Sequence, residues 1–232
     1  MGVIDYEKYY LKKEEMLKFI YSNQDKYDDR GIDKFGAIIS DYFINKKLGN
    51  IPVTYLQIFS KFGVFKEGQD IYLEFFKLLN ELNFLEGNVC EVGAGGYPRL
   101  AEIMLPKIKL NGGTLTIYEP EILYTDFKGI KIVKEKFTED TNIESIDTLV
   151  GLMPCIASES IVEQAFFENK NLLIGFCACD HSSRSGIKKG NNKYWAEALC
   201  NYYKKRYGNE AEILSLFDNI GVDIPIMVRH KR

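Results

Sequence analysis

From Gly87 onward, short runs that are apolar almost without interruption alternate with stretches of helical periodicity, and few chain organisations accommodate that pattern. The runs at 89–92, 114–118, 131–133, 148–152 and 172–178 have strand length and read as strands buried on both faces. Helical stretches at 98–107 and 160–168 lie between them, the second opening with Ser160 and Glu163 in capping-box spacing. Two more helices are expected at 194–207 and 211–220, before a last strand at 224–228. The alternation predicts an α/β fold on a doubly wound, mostly parallel sheet, a Rossmann-like domain over 86–232. Residues 1–85 differ. Stretches 4–22, 34–46 and 68–85 carry helical spacing, with Ile71, Phe75, Leu78, Leu79 and Leu82 as one stripe. They read as a helical N-terminal segment packed on the sheet domain.

With 46% hydrophobic and 27% charged residues, the chain is neither disordered nor fibrous. No window reaches the ~20 apolar residues of a membrane span, and the first residues lack the basic-then-apolar order of a signal peptide. A soluble, cytoplasmic chain with no membrane partner is expected. The net charge of -3 hides an asymmetry: from His181 on there are ten basic against five acidic residues, and before it twenty against twenty-eight. Five unevenly spaced cysteines, an odd number, suit core thiols better than a disulfide framework.

In such sheets ligands bind outside the carboxyl ends of the strands, where the strand order reverses. After the first strand comes Glu91-Val92-Gly93-Ala94-Gly95-Gly96-Tyr97-Pro98. Gly93 and Gly95 permit a tight turn and close approach of backbone to a ligand, before a helix presents its N-terminus. Glu91, at the end of an apolar strand, suits a cationic partner such as an amino group better than a pyrophosphate. The third glycine of the dinucleotide fingerprint falls at Pro98, so that match is broken. Glu119 closes the second strand, where an acid can take both hydroxyls of a ribose. The two acids together favour an adenosyl ligand carrying an amine.

On these residues the chain resembles the class I S-adenosylmethionine-dependent methyltransferases, whose acid-x-Gly-x-Gly turn is matched by Glu91 to Gly95 and whose strand-two acid is matched by Glu119. The resemblance covers roughly 86–225. It implies S-adenosylmethionine as cofactor, Glu91 near its methionine end, Gly93, Ala94, Gly95 and Gly96 along it, Glu119 on the ribose, and Asp140 or Thr138 toward the adenine. The family usually ends in a strand hairpin, whereas one strand is legible here after Ile220.

The fourth strand ends Met153-Pro154-Cys155, and in this family that tip, here Pro154, faces the methyl group. The fifth ends Cys177-Ala178-Cys179-Asp180-His181. The pair is weakly similar to RNA methylases that carry His-x-Cys-Gly and clustered Cys and His at these tips. Asp180 and His181 are the acid–base candidates, His181 as a proton acceptor oriented by Asp180. A metal held by Cys155, Cys179 and His181 is disfavoured, because no C-x-x-C pair exists. Residues 182–192 read as a lid or an exposed linker. Trp195, Tyr202 and Tyr203 read as helix core rather than a base-stacking platform. The function expected is methyl transfer to a small metabolite, ahead of RNA because the chain is acidic. The alternatives are an NAD-dependent oxidoreductase and a non-catalytic cofactor-binding module.

Overall fold

The computed structural model describes residues 3–22, 53–177, 192–208, 210–216 and 224–231. The helix expected over 34–46 lies outside them. Helices α1 (Tyr6–Tyr21), α2 (Val53–Lys61) and α3 (Ile71–Glu81) precede the sheet. Strand β1 (Val89–Val92) follows, then α4 (Arg99–Leu110), β2 (Leu115–Tyr118), β3 (Ile130–Val133) and β4 (Thr148–Leu152). After these come α5 (Ser158–Phe167), β5 (Asn171–Gly175), α6 (Asn192–Tyr207), β6 (Glu212–Leu216) and β7 (Ile224–Arg229).

The seven strands form one sheet in the order β3-β2-β1-β4-β5-β7-β6. β1 pairs in parallel with β2 on one side and β4 on the other, so the chain reverses direction of winding there. β7 runs antiparallel to both β5 and β6. This is the doubly wound, mostly parallel sheet the apolar runs predict.

Each face of the sheet is covered by helices, which is why β1, β4, β5 and β7 carry apolar residues on both sides. On one face α3 and α4 bury Phe75, Leu79, Leu100, Met104 and Ile108 against Val89, Ile117 and Val150. On the other, α5 and α6 bury Ile161, Phe166, Trp195, Leu199 and Tyr203 against Cys90, Leu149 and Ile174. Trp195 and Tyr203 are thus core, as their helical spacing suggests, while Tyr202 is exposed. The stripe on α3 therefore belongs to the same core as the sheet. Asp70 caps that helix, accepting from Tyr72 and Leu73 N–H, which fixes its start. A third cluster joins Met16 and Ile20 of α1 to Tyr55, Ile58 and Phe59 of α2.

Three local expectations are corrected. Of the helix expected over 211–220, the described part is strand: Glu212–Leu216 are β6, paired with β7 from Glu212↔Val228 to Leu216↔Ile224. The sequence Glu-Ile-Leu-Ser-Leu suits either form, and the open edge of β7 supplies the backbone partners that decide it. This strand is the antiparallel partner of β7 that the sequence does not make legible. β3 is an edge strand with Lys131 exposed, so not every strand is buried on both faces. Finally, α5 begins at Ser158, where a 3-10 turn (Cys155–Ala157) runs straight into it. Ser160 lies inside the helix, and Ser158 Oγ instead donates to the Cys155 carbonyl.

Candidate functional site

The end of β1 and the end of β4 are drawn together by a glycine. Gly93 has φ +75°, and a Cβ placed there would stand 2.8 Å from both Cα and Cβ of Pro154. No residue but glycine fits both the left-handed backbone and that approach. Across the gap, Met153 and Cys155 on either side of Pro154 hold φ of 56° and 50°. Left-handed backbone at non-glycine residues costs of order 1–3 kcal/mol each and gathers at ligand sites. The strain is set by the chain's need to turn at the β4 tip while Met153 N–H still donates to Gly175 O at 2.8 Å.

Glu119 closes the other side of the turn. Its Oε2 accepts from Gly95 N–H at 2.8 Å and its Oε1 from Glu121 N–H at 2.9 Å, while its own N–H reaches Val133 O at 3.1 Å. One carboxylate therefore ties the glycine turn to the end of β2. Glu119 also lines a cavity of about 580 Å³, within the range of ligand pockets. Val92 and Gly93 line this cavity from β1, Tyr118 to Glu121 from β2, Lys136 to Glu139 from the segment after β3, and Pro154 to Ala157 from beyond β4. It opens outside the carboxyl ends of the strands at the point where the strand order reverses. Three carboxylates, Glu119, Glu121 and Glu139, stand against one ammonium, Lys136.

Of the residues expected at a cofactor, Gly93, Glu119 and Pro154 line this cavity. Ala94, Gly95 and Gly96 do not; their turn is covered by α2. Gln57 Nε2 donates to Ala94 O at 2.5 Å, and Tyr97 N–H donates to Gln57 Oε1 at 3.0 Å. A Cβ on Gly96 would stand 2.5 Å from Thr54 Oγ1. Those glycines serve the approach of a helix.

Glu91 is also off the cavity. Alternation along β1 puts it on the face of Val89, toward α3 and α4, where it is 3% exposed. The Ala101 N–H favours its charged form, while its Oε2 has no hydrogen-bond partner among the described residues. Burial pushes its carboxyl up to about 8, against the pull of the Ala101 bond and with a further push from the Glu119 charge. At neutral pH it is mostly a neutral acid beneath the turn.

Thr138 lines the cavity, as does Glu139 rather than Asp140. Asp180, His181 and Cys179 lie outside the described residues. Cys155 lines the cavity, and among the described residues no three side chains are grouped to hold a metal. Sequence reasoning missed Lys136, Phe137 and Glu139, although the rule that ligands sit beyond strand ends pointed to the segment after β3. It missed Gln57 altogether, since nothing in a helical stretch marks one glutamine as facing a distant turn.

No protein-family profile and no curated protein matches the sequence. Several solved structures match in shape. A precorrin-6y C5,15-methyltransferase from Geobacter metallireducens is 12% identical with TM-score 0.47, over 71% of this chain and 88% of the other. A 1,6-didemethyltoxoflavin-N1-methyltransferase from Burkholderia thailandensis, solved with S-adenosylhomocysteine, is 10% identical with TM-score 0.44, over 85% and 87%. A protein ascribed as a methyltransferase to an antibiotic biosynthesis pathway of Anabaena variabilis is 10% identical with TM-score 0.41, over 60% of this chain and 64% of its own length. An RNA methyltransferase also matches. At this distance none carries a residue role across, and the fold rests on the sheet itself. By its strand order and its antiparallel β7, the chain has the class I S-adenosylmethionine-dependent methyltransferase fold.

Proposed function

We propose that the chain is an S-adenosylmethionine-dependent methyltransferase whose cofactor occupies the cavity at the ends of β1, β2 and β4. The observation that carries this reading is Glu119, a carboxylate at the rim of a cavity of about 580 Å³, pinned by the glycine turn beside it. When bound, the cofactor would supply a methyl group on a positively charged sulfur.

The residues present fit that group. Two Glu119 oxygens are already oriented by backbone N–H groups, so accepting from the two ribose hydroxyls needs no reorganisation. Thr138 and Glu139 offer polar contacts to an adenine edge, while Phe137, Ile156 and Ala157 supply apolar surface for its faces. The acidic lining favours a ligand that is cationic and free of phosphate. A dinucleotide would bring its pyrophosphate against Glu119, Glu121 and Glu139, which speaks against the oxidoreductase alternative. Pro154, held on Gly93, fixes the wall between the β1 and β4 ends, and in-line methyl transfer depends on such positioning. Asp180 and His181 are retained from the sequence as the acid–base pair, His181 taking the acceptor's proton. The acceptor proposed is a small metabolite, because a chain of net charge -3 has no general attraction for a polyanion.

Titration calorimetry with S-adenosylhomocysteine, S-adenosylmethionine and NAD tests the reading. Heat with the first two and none with NAD supports it. Absence of heat with either adenosyl compound at millimolar concentration ends it, and saturable binding of NAD alone would move the chain to the oxidoreductases.

A further inference from the structure

Helix α2 reaches the glycine turn with one side chain that makes two bonds of opposite sense. Gln57 donates through Nε2 to Ala94 O and accepts through Oε1 from Tyr97 N–H, and its side chain is buried. The amide thus spans both ends of the Gly95-Gly96 segment from a position 37 residues upstream of Ala94. Gly95 is glycine on the same account, since a Cβ there would stand 2.8 Å from Gln57 Nε2. The N–H of this same Gly95 is the one that orients Glu119 at 2.8 Å. A continuous chain of contacts therefore runs from α2 through the turn to the carboxylate at the rim of the cavity.

We infer that Gln57 is a positioning residue of the cofactor site, which makes the helical N-terminal segment a working part of that site rather than an appendage. The inference rests on the proposed cofactor reading. No other side-chain amide among the described residues bonds to the turn, so nothing else there replaces both bonds at once. Lost together, they leave a buried carbonyl and a buried N–H unmatched at the turn, and the Gly95 N–H is free to swing off Glu119.

Three variants separate positioning from mere packing. Gln57→Met keeps the length of the side chain and removes both bonds. Gln57→Glu keeps the acceptor for Tyr97 N–H but, when ionised, sets a carboxylate oxygen against the Ala94 carbonyl. Ser60→Ala, on the same helix, removes a hydroxyl that bonds Asp70 and Arg99 and never touches the turn. The readout is the Kd for S-adenosylhomocysteine, measured well below each variant's unfolding midpoint. Gln57→Met is expected to weaken it by about tenfold or more. Gln57→Glu is expected to weaken it similarly at pH 8 and to recover toward wild type at pH 5, where the protonated acid can donate to Ala94. Each is compared with wild type at the same pH, so titration elsewhere cancels. Ser60→Ala should lower the midpoint and leave the Kd within about twofold. Wild-type binding with an unchanged Kd in Gln57→Met overturns the inference alone. Should Ser60→Ala weaken binding as much as Gln57→Met, the effect is general loosening of α2 and the inference is overturned too. Wild type that binds no adenosyl ligand overturns the cofactor reading first, and the inference with it.

Discussion

The contact between Gly93 and Pro154 makes a quantitative prediction about one methyl group. Gly93→Ala adds a Cβ to a residue at φ +75°, 2.8 Å from two Pro154 carbons. Gly112 offers the control: its φ is +76° and a Cβ there meets nothing within 4 Å. Gly112→Ala therefore reports the backbone cost alone, about 1–2 kcal/mol for a left-handed L-residue. Gly93→Ala carries that cost plus displacement of Pro154, whose backbone is already committed to two flanking left-handed residues. Overpacking of this kind adds about 1–3 kcal/mol. Denaturant unfolding of both variants should show Gly93→Ala the less stable by that margin, and each kcal/mol moves Tm by about 2–4 °C in a chain of this size. Because Gly93 and Pro154 line the cavity and Gly112 does not, Gly93→Ala should also weaken S-adenosylhomocysteine while Gly112→Ala leaves it untouched. Equal destabilisation in the two variants would show that the β1 and β4 tips are not in contact, and the geometry argued for the cavity wall would fail.

Replacing Glu119 by Gln should weaken S-adenosylhomocysteine by about tenfold to a hundredfold, since one ribose hydroxyl loses a charged acceptor and the side chain keeps an acceptor for only one of the two backbone N–H groups, of Gly95 and Glu121, that now bond it; isothermal titration measures it. The buried Glu91, whose carboxyl is pushed up from 4.5 to about 8, holds its proton more tightly folded than unfolded. Its contribution to stability is complete below about pH 4.5, declines as pH rises through about 8 and is level above, so chemical unfolding should show that fall in wild type and lack it in Glu91→Gln. A fall of equal size in Glu91→Gln would assign it to other groups. Phe75→Ala should cost about 3–5 kcal/mol, seen as a lowered denaturation midpoint, because the ring is fully buried between α3 and the sheet.

How much of the molecule is legible in the amino-acid order depends on which physical terms are local. The buried strands announce themselves, since covering both faces of β1, β4 and β5 calls for runs that are apolar almost throughout; 89–92 and 148–152 coincide with the observed strands. β6 does not announce itself. Its half-exposed Glu-Ile-Leu-Ser-Leu has no decisive period, and only the antiparallel edge of β7 makes it a strand. At the candidate site, Glu119 and Gly93 are legible because an acid and a turn glycine at neighbouring strand ends fall where the strand order reverses. Glu91 shows the limit: its position in the motif is clear from sequence, but the face it takes is set by strand alternation and by where α4 begins. Gln57 shows it more sharply, because its partners at Ala94 and Tyr97 are brought to it by tertiary packing alone.

A crystal structure grown with S-adenosylhomocysteine would test the cofactor site outright. The ribose hydroxyls should then lie within hydrogen-bond distance of the Glu119 carboxylate, with the adenine between the segments at Thr138 and Ile156 and Glu91 separated from the ligand by the turn. A ligand bound away from Glu119, or a Glu91 carboxylate in direct contact with its amino group, would contradict that placement.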